Sequence, residues 1–76
     1  MTESELISAC LDRDRLAQRE LYERYSQAMY TTAYRISGDF ESAKDILQEA
    51  FIKVFTKLHQ FRGESTLGAW IKTIVV

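Results

Sequence analysis

The sequence predicts an all-α fold: a small helical bundle of three main helices plus a short N-terminal helix, forming one domain over residues 1–76. Three observations carry this. There is no proline, and Gly38, Gly63 and Gly68 are the only glycines. Apolar residues recur at spacings of three and four almost without interruption, the period of a helix face. Period-2 alternation and hairpin dipeptides such as Asn-Gly, the marks of strands, are missing.

The first helix starts near Thr2. Thr2 and Glu5 have capping-box spacing, in which each side chain satisfies an orphan amide of the first turn. Leu6, Ile7, Cys10 and Leu11 form its apolar face. Asp12-Arg13-Asp14 breaks the pattern, and Asp14 is the expected N-cap of a second helix from about Arg15 to Ser37. There Ala17, Leu21, Tyr25, Ala28, Met29, Thr32 and Ile36 keep helical spacing, and Arg19 and Glu23 stand four apart, as an ion pair requires. Gly38 falls where a left-handed C-cap is wanted. Asp39 caps a third helix, from about Phe40 to Leu58, with a core stripe of Ala43, Ile46, Leu47, Ala50, Phe51, Val54, Phe55 and Leu58. A loop, His59 to Glu64, follows. Ser65 is the expected N-cap of a fourth helix with Leu67, Trp70, Ile71, Ile74 and Val75 facing inward. The core is expected to include Leu21, Tyr25, Ile46, Leu47, Ala50, Phe51, Val54, Leu58, Trp70 and Ile74. The final Ile74-Val75-Val76 lacks a C-cap signal, so the natural chain is expected to continue.

Composition narrows the function. Ten Lys and Arg against eleven Asp and Glu leave a net charge of −1 in 76 residues, and the pI is near 5.7. That balance argues against a protein held on duplex DNA mainly by phosphate contacts. One cysteine, Cys10, and one histidine, His59, exclude disulfides within the chain and four-ligand Cys/His zinc sites. The longest apolar run is three residues, so no membrane insertion is expected, and the polar start Met-Thr-Glu-Ser-Glu does not read as a secretory signal. No nucleophile–base arrangement or phosphate-cradling glycine loop stands out. The expectation is a cytoplasmic protein that is not an enzyme and carries no cofactor or metal.

The third helix is the most informative segment. With about 100° per residue, Glu41, Asp45, Gln48, Glu49, Ile52 and Thr56 fall opposite the core stripe. This pattern fits a solvated face with an incidental isoleucine. It also fits a docking strip, in which an apolar anchor ringed by acceptors meets an Arg-rich partner. Further along, Phe61 and Trp70 fit either core packing or stacking platforms for unpaired bases; Trp70 shares the face of Leu67, Ile71 and Ile74, which favours core. Tyr30 and Tyr34, on the outer side of the second helix, fit packing on each other or binding a partner.

The strings Asp39-Phe40-Glu41-Ser42-Ala43-Lys44-Asp45-Ile46-Leu47-Gln48-Glu49-Ala50-Phe51-Ile52-Lys53-Val54-Phe55, Phe61-Arg62-Gly63-Glu64-Ser65-Thr66-Leu67 and Ala69-Trp70-Ile71 resemble region 2 of extracytoplasmic-function (ECF) sigma factors, promoter-specificity subunits of bacterial RNA polymerase. The resemblance extends over essentially the whole chain, and Leu6-Ile7, Ala17, Leu21-Tyr22 and Tyr25 match the start of that domain. It implies that Glu41, Asp45, Gln48, Glu49, Ile52 and Thr56 face the clamp helices of the polymerase's largest subunit. The resemblance, not the pattern, decides for docking. It also implies that Arg62, Gly63, Glu64, Ser65 and Thr66, with Lys72 and Thr73 on the outer face of the fourth helix, melt and read the −10 promoter element on the non-template strand. An anti-sigma factor is a further implied partner.

There are departures from the family pattern. Arg13 stands where the family often has glycine, Leu67 replaces a common phenylalanine, and Gly68 lies in the first turn of the fourth helix, where it costs about 0.5–1 kcal/mol against alanine. The Asn and basic run that normally follow the fourth helix, and the helix-turn-helix that reads the −35 element, lie outside these 76 residues. The competing reading is a helical protein-interaction adaptor with no DNA role, which would share the third-helix strip but need no base-binding loop.

Overall fold

The computed structural model describes residues 2–76. Four α-helices follow one another: α1 (Glu3–Leu11), α2 (Arg15–Ser37), α3 (Phe40–Lys57) and α4 (Leu67–Val75), with a 3₁₀ turn at Leu58–Gln60 after α3. No strand occurs among the described residues. The expected all-α bundle with a short N-terminal helix is what is found.

Side chains and turns set the helix boundaries. The Thr2 hydroxyl accepts from the Glu5 amide at 3.1 Å while the Glu5 carboxylate accepts from the Thr2 amide at 2.9 Å, the reciprocal capping box. Asp14 accepts from the amides of Leu16 and Ala17 at the start of α2, and Asp39 from Ser42 at the start of α3. Gly38 ends α2 in the left-handed region, φ 72°, its amide donating to the Tyr34 carbonyl at 2.7 Å. The turn after α1 is less ordinary. The Arg13 amide donates to Cys10 and the Asp14 amide to Ala9, which is a Schellman closure. The residue it places in the left-handed region is Arg13, φ 64°. This geometry accounts for the glycine that the family resemblance led one to expect there.

Two sequence expectations are corrected at the other end. The helical run ends at Lys57, and Leu58 opens the 3₁₀ turn, so His59 and Gln60 belong to that turn rather than to the loop. The N-cap of α4 is Thr66, not Ser65: the Thr66 hydroxyl accepts from the Ala69 amide at 3.2 Å. Both residues are good caps. Capping at Thr66 makes Leu67 the first helical residue, and Leu67, Ile71 and Val75 then form the buried row.

The core draws on all four helices and the turn. Leu6 and Cys10 of α1, Leu21 and Ala33 of α2, Leu47, Phe51 and Val54 of α3, Leu58, and Leu67 and Ile71 of α4 are buried. On α2 the buried residues Ala17, Leu21, Met29 and Ala33, with the half-buried Tyr25 between Leu21 and Met29, form a row with steps of four. Such a row winds slowly around its helix, which suits α2, since it packs against α1, α3 and α4. The expected stripe through Ala28 and Ile36 drifts off this row, and both are exposed. Tyr25, Ile46, Trp70 and Ile74, expected in the core, are half-buried and pack on its margin. A bundle this small buries narrow seams rather than wide faces.

Tyr25 joins three helices. Its ring lies against Gly68, where an added Cβ would stand 3.2 Å from Tyr25 Cε1. Its hydroxyl donates to Glu3 at 3.1 Å. Partial burial, and next the Glu3 carboxylate, hold its pKa above the ordinary tyrosine value. Gly68, costly to α4 by propensity, therefore lets α2 and α4 approach closely.

Candidate functional site

All six residues of the α3 strip, Glu41, Asp45, Gln48, Glu49, Ile52 and Thr56, are exposed. They lie opposite Ala43, Leu47, Ala50, Phe51 and Val54, which are buried. Ile52 is 67% exposed, an aliphatic side chain in water among three carboxylates and an amide. Thr56 is engaged within its own helix, its hydroxyl donating to the Ile52 carbonyl at 2.7 Å, so only its lone pairs and methyl group face outward. The helix is packed from behind the strip: the buried Phe51 meets Tyr22 edge-on at 4.8 Å and Phe55 at 6.3 Å.

The second group of residues is only partly brought together. Arg62, Glu64 and Ser65 line a cleft of about 240 Å³ with Gln60, Phe61 and Trp70. Phe61 and Trp70 have ring centroids 5.3 Å apart and planes inclined by 49°, and both are half-buried. Both rings pack on the core margin, as the core alternative requires, and both also line the cleft. Gly63 turns the loop at φ 74°, a conformation that favours glycine. Thr66 spends its lone pair on the α4 cap. Lys72 and Thr73 stand on the exposed face of α4 outside this cleft, and the Thr73 hydroxyl donates to the Trp70 carbonyl at 2.6 Å. Gln60 is the lining residue that sequence reading missed. Its place depends on the 3₁₀ turn, which helical periodicity does not mark.

Tyr34 stacks on Phe40 across the α2–α3 turn, centroids 4.8 Å apart, rather than on Tyr30. Arg19 and Glu23 pair at 2.9 Å as expected, and Arg24 and Glu20 at 2.8 Å; exposed pairs of this kind contribute only a few tenths of a kcal/mol, roughly. Among the described residues no helix is long and apolar enough to cross a membrane.

In this four-helix bundle α3 presents an exposed acidic strip with an apolar centre, and the loop before α4 turns at Gly63 beside the Phe61–Trp70 ring pair. Residues 21–76 match the family described as Sigma-70 region 2, and the chain belongs to that family. ECF RNA polymerase sigma factors are among its relatives. The ECF RNA polymerase sigma-E factor of Escherichia coli K12 is 35% identical over 78 aligned positions, covering all of this chain and 39% of the relative. RNA polymerase sigma factor YlaC of Bacillus subtilis is 36% identical over 55 residues, 72% of this chain and 32% of the relative. ECF RNA polymerase sigma factor SigX of the same organism is 33% identical over 54 residues, 71% of this chain and 28% of the relative. The chain thus spans about a third of the length of these relatives.

Proposed function

We propose that the domain acts in transcription initiation in the cytoplasm, docking on the clamp helices of RNA polymerase through α3 and recognising and melting the −10 promoter element through the loop before α4. The observation that carries the first part is Ile52. Burying one isoleucine side chain contributes about 1.5–3 kcal/mol, and the acceptors around it would pair with arginines of the partner. For the second part, the cleft beside Arg62, Glu64 and Ser65 offers polar groups for the edges of a flipped base and an aromatic floor to stack it. Such contacts offset an unpairing cost of a few kcal/mol, roughly. The anti-sigma factor implied by the family, and a natural chain that carries a second DNA-binding domain beyond Val76, belong to the same reading.

Binding to promoter-sequence oligonucleotides tests the DNA role against an adaptor without one. The chain has a net charge of −1, so it should bind duplex DNA weakly at most and prefer single-stranded −10-type sequence, most clearly with polymerase core present. Substituting Glu64, Ser65 and Thr66 should change which base is preferred and leave core binding intact. Removing the charge of Arg62 or Lys72 should weaken binding across sequences and flatten its salt dependence. Tight, salt-insensitive duplex binding would contradict this assignment.

A further inference from the structure

The two walls of the loop cleft are anchored on different helices. Phe61 follows the 3₁₀ turn, and its amide donates to the carbonyl of the buried Leu58 at 3.0 Å. That turn packs against α1 and α3. Trp70 rides on α4, which packs on α2 and α3. The loop between the walls does not fix their separation. Its turn, Gly63, has nothing within 4 Å of where a Cβ would stand. The approach of Trp70 to Phe61 is therefore set by where α4 sits. We propose that Tyr25 is a positioning residue for base reading: its ring seats the first turn of α4 on α2 and so fixes how closely Trp70 meets Phe61. This rests on the base-reading role of the loop given above.

Three observations support it. First, the contact is tight and close to the cleft in sequence. A Cβ on Gly68 would stand 3.2 Å from Tyr25 Cε1 and 3.7 Å from Cδ1, the first inside the optimal carbon–carbon separation. Gly68 lies between the cleft residues Ser65 and Trp70, in the turn capped by Thr66, so a shift of this turn moves both. Second, the ring is held in place. Tyr25 stands between the buried Leu21 and Met29. Its hydroxyl donates to Glu3 at 3.1 Å, beside the Thr2–Glu5 capping box that starts α1. One ring thus ties the starts of α1 and α4 to the middle of α2. Third, the Phe61 and Trp70 rings are already at packing distance, with centroids 5.3 Å apart. Close-packed groups transmit displacement, and rings already in contact can only loosen. A site that reads one group loses discrimination when the residues behind it leave it slack.

The buried row Leu67, Ile71 and Val75 also anchors α4. Those side chains are aliphatic and can adjust their rotamers. At Gly68 the backbone of α4 itself meets a flat ring, so the seat there is the least forgiving.

Trp70 is the only tryptophan in the chain, so its emission reports the cleft without any nucleic acid. Gly68→Ala adds one methyl against the ring. Alanine is the better helix former, so the fold should persist, with a melting temperature within a few degrees of the unaltered chain. Trp70 emission should move to the red, and iodide should quench it more strongly. With core polymerase present, the affinities for −10-type single strands that differ at one base should converge several-fold, while affinity for core stays the same. Tyr25→Leu alone removes the ring and should loosen the cleft in the same direction. Combined with Gly68→Ala it leaves room for the methyl, so the double variant should recover part of both signals, a reversal that independent effects would not give. Tyr25→Phe keeps the ring and should match the unaltered chain in both. If Trp70 responds in this way but the unaltered chain shows no base preference, the loop reading fails and the seat stands. The proposal is overturned if folded Gly68→Ala keeps the emission of the unaltered chain, or if a base preference present in the unaltered chain survives that substitution. It is also overturned if Tyr25→Leu adds to the effect of Gly68→Ala instead of offsetting it, which would make the ring a general support of the fold.

Discussion

The outer face of α3 and the segment from the 3₁₀ turn into α4 are both exposed, and they are built in opposite ways. The α3 strip projects from an 18-residue helix fixed by a capped start and by five buried side chains behind it. Its geometry follows from the helical repeat alone. The loop segment has a glycine turn, a threonine cap and two half-buried rings, and a nine-residue helix anchors its end. Its geometry follows from tertiary contacts. A surface of the first kind is displayed by a rigid scaffold and suits another helix. A surface of the second kind can close around one small group.

The contrast is tested most severely by placing a charge behind the strip. Phe51→Glu buries a carboxylate among Tyr22, Phe55 and the core. It should cost about 4 kcal/mol or more, close to the ~5 kcal/mol that a small domain holds in all, and circular dichroism should show loss of helix at room temperature. Next comes the support of the loop region. Gly68→Val would drive a branched side chain into the Tyr25 ring. It should cost about 1–3 kcal/mol in denaturant melts, although valine is a better helix former than glycine in isolation. Thr66→Ala removes the α4 cap and should cost about 1 kcal/mol, whereas Ser65→Ala should leave the melting temperature nearly unchanged. That pair separates the two candidate caps directly.

The smallest effect is on pH. Hydrogen bonds, chiefly from the Thr2 amide, hold the Glu5 carboxyl below its ordinary pKa, and those from the Ser42 amide do the same for Asp39. A carboxylate with a depressed pKa in the folded state contributes stability above its unfolded value, about 4, and loses it as pH falls through the lower folded value. Melting temperatures should therefore decline from about pH 5 downward, and the Glu5→Gln, Asp39→Asn double variant should flatten part of that decline.

These differences explain what could be read from the sequence. The caps at Thr2, Asp14 and Asp39, the left-handed Gly38 and the two faces of α3 are local patterns, each set by residues within a turn or two. All of them appear where the sequence placed them. The Thr66 cap, the winding buried row of α2 and the role of Gly68 depend on which helices lie opposite, information that spacing does not carry. The same division holds for the candidate sites. The six strip residues share one exposed face because one helix carries them. Of the seven loop and α4 residues, only Arg62, Glu64 and Ser65 reach the cleft, and Gln60 enters through a turn that the helical repeat does not foresee.

The central claim is that α3 has one face for the fold and one for a partner. Ile52→Glu and Phe51→Glu are neighbouring substitutions of the same chemistry, one exposed and one buried, and the decisive measurement is the affinity of Ile52→Glu for core RNA polymerase beside the thermal melts of both variants. The account predicts a melting temperature for Ile52→Glu within a few degrees of the unaltered chain, with core binding weakened by at least ~2 kcal/mol. Equal thermal damage from the two variants, or full polymerase affinity in the folded Ile52→Glu protein, would contradict it.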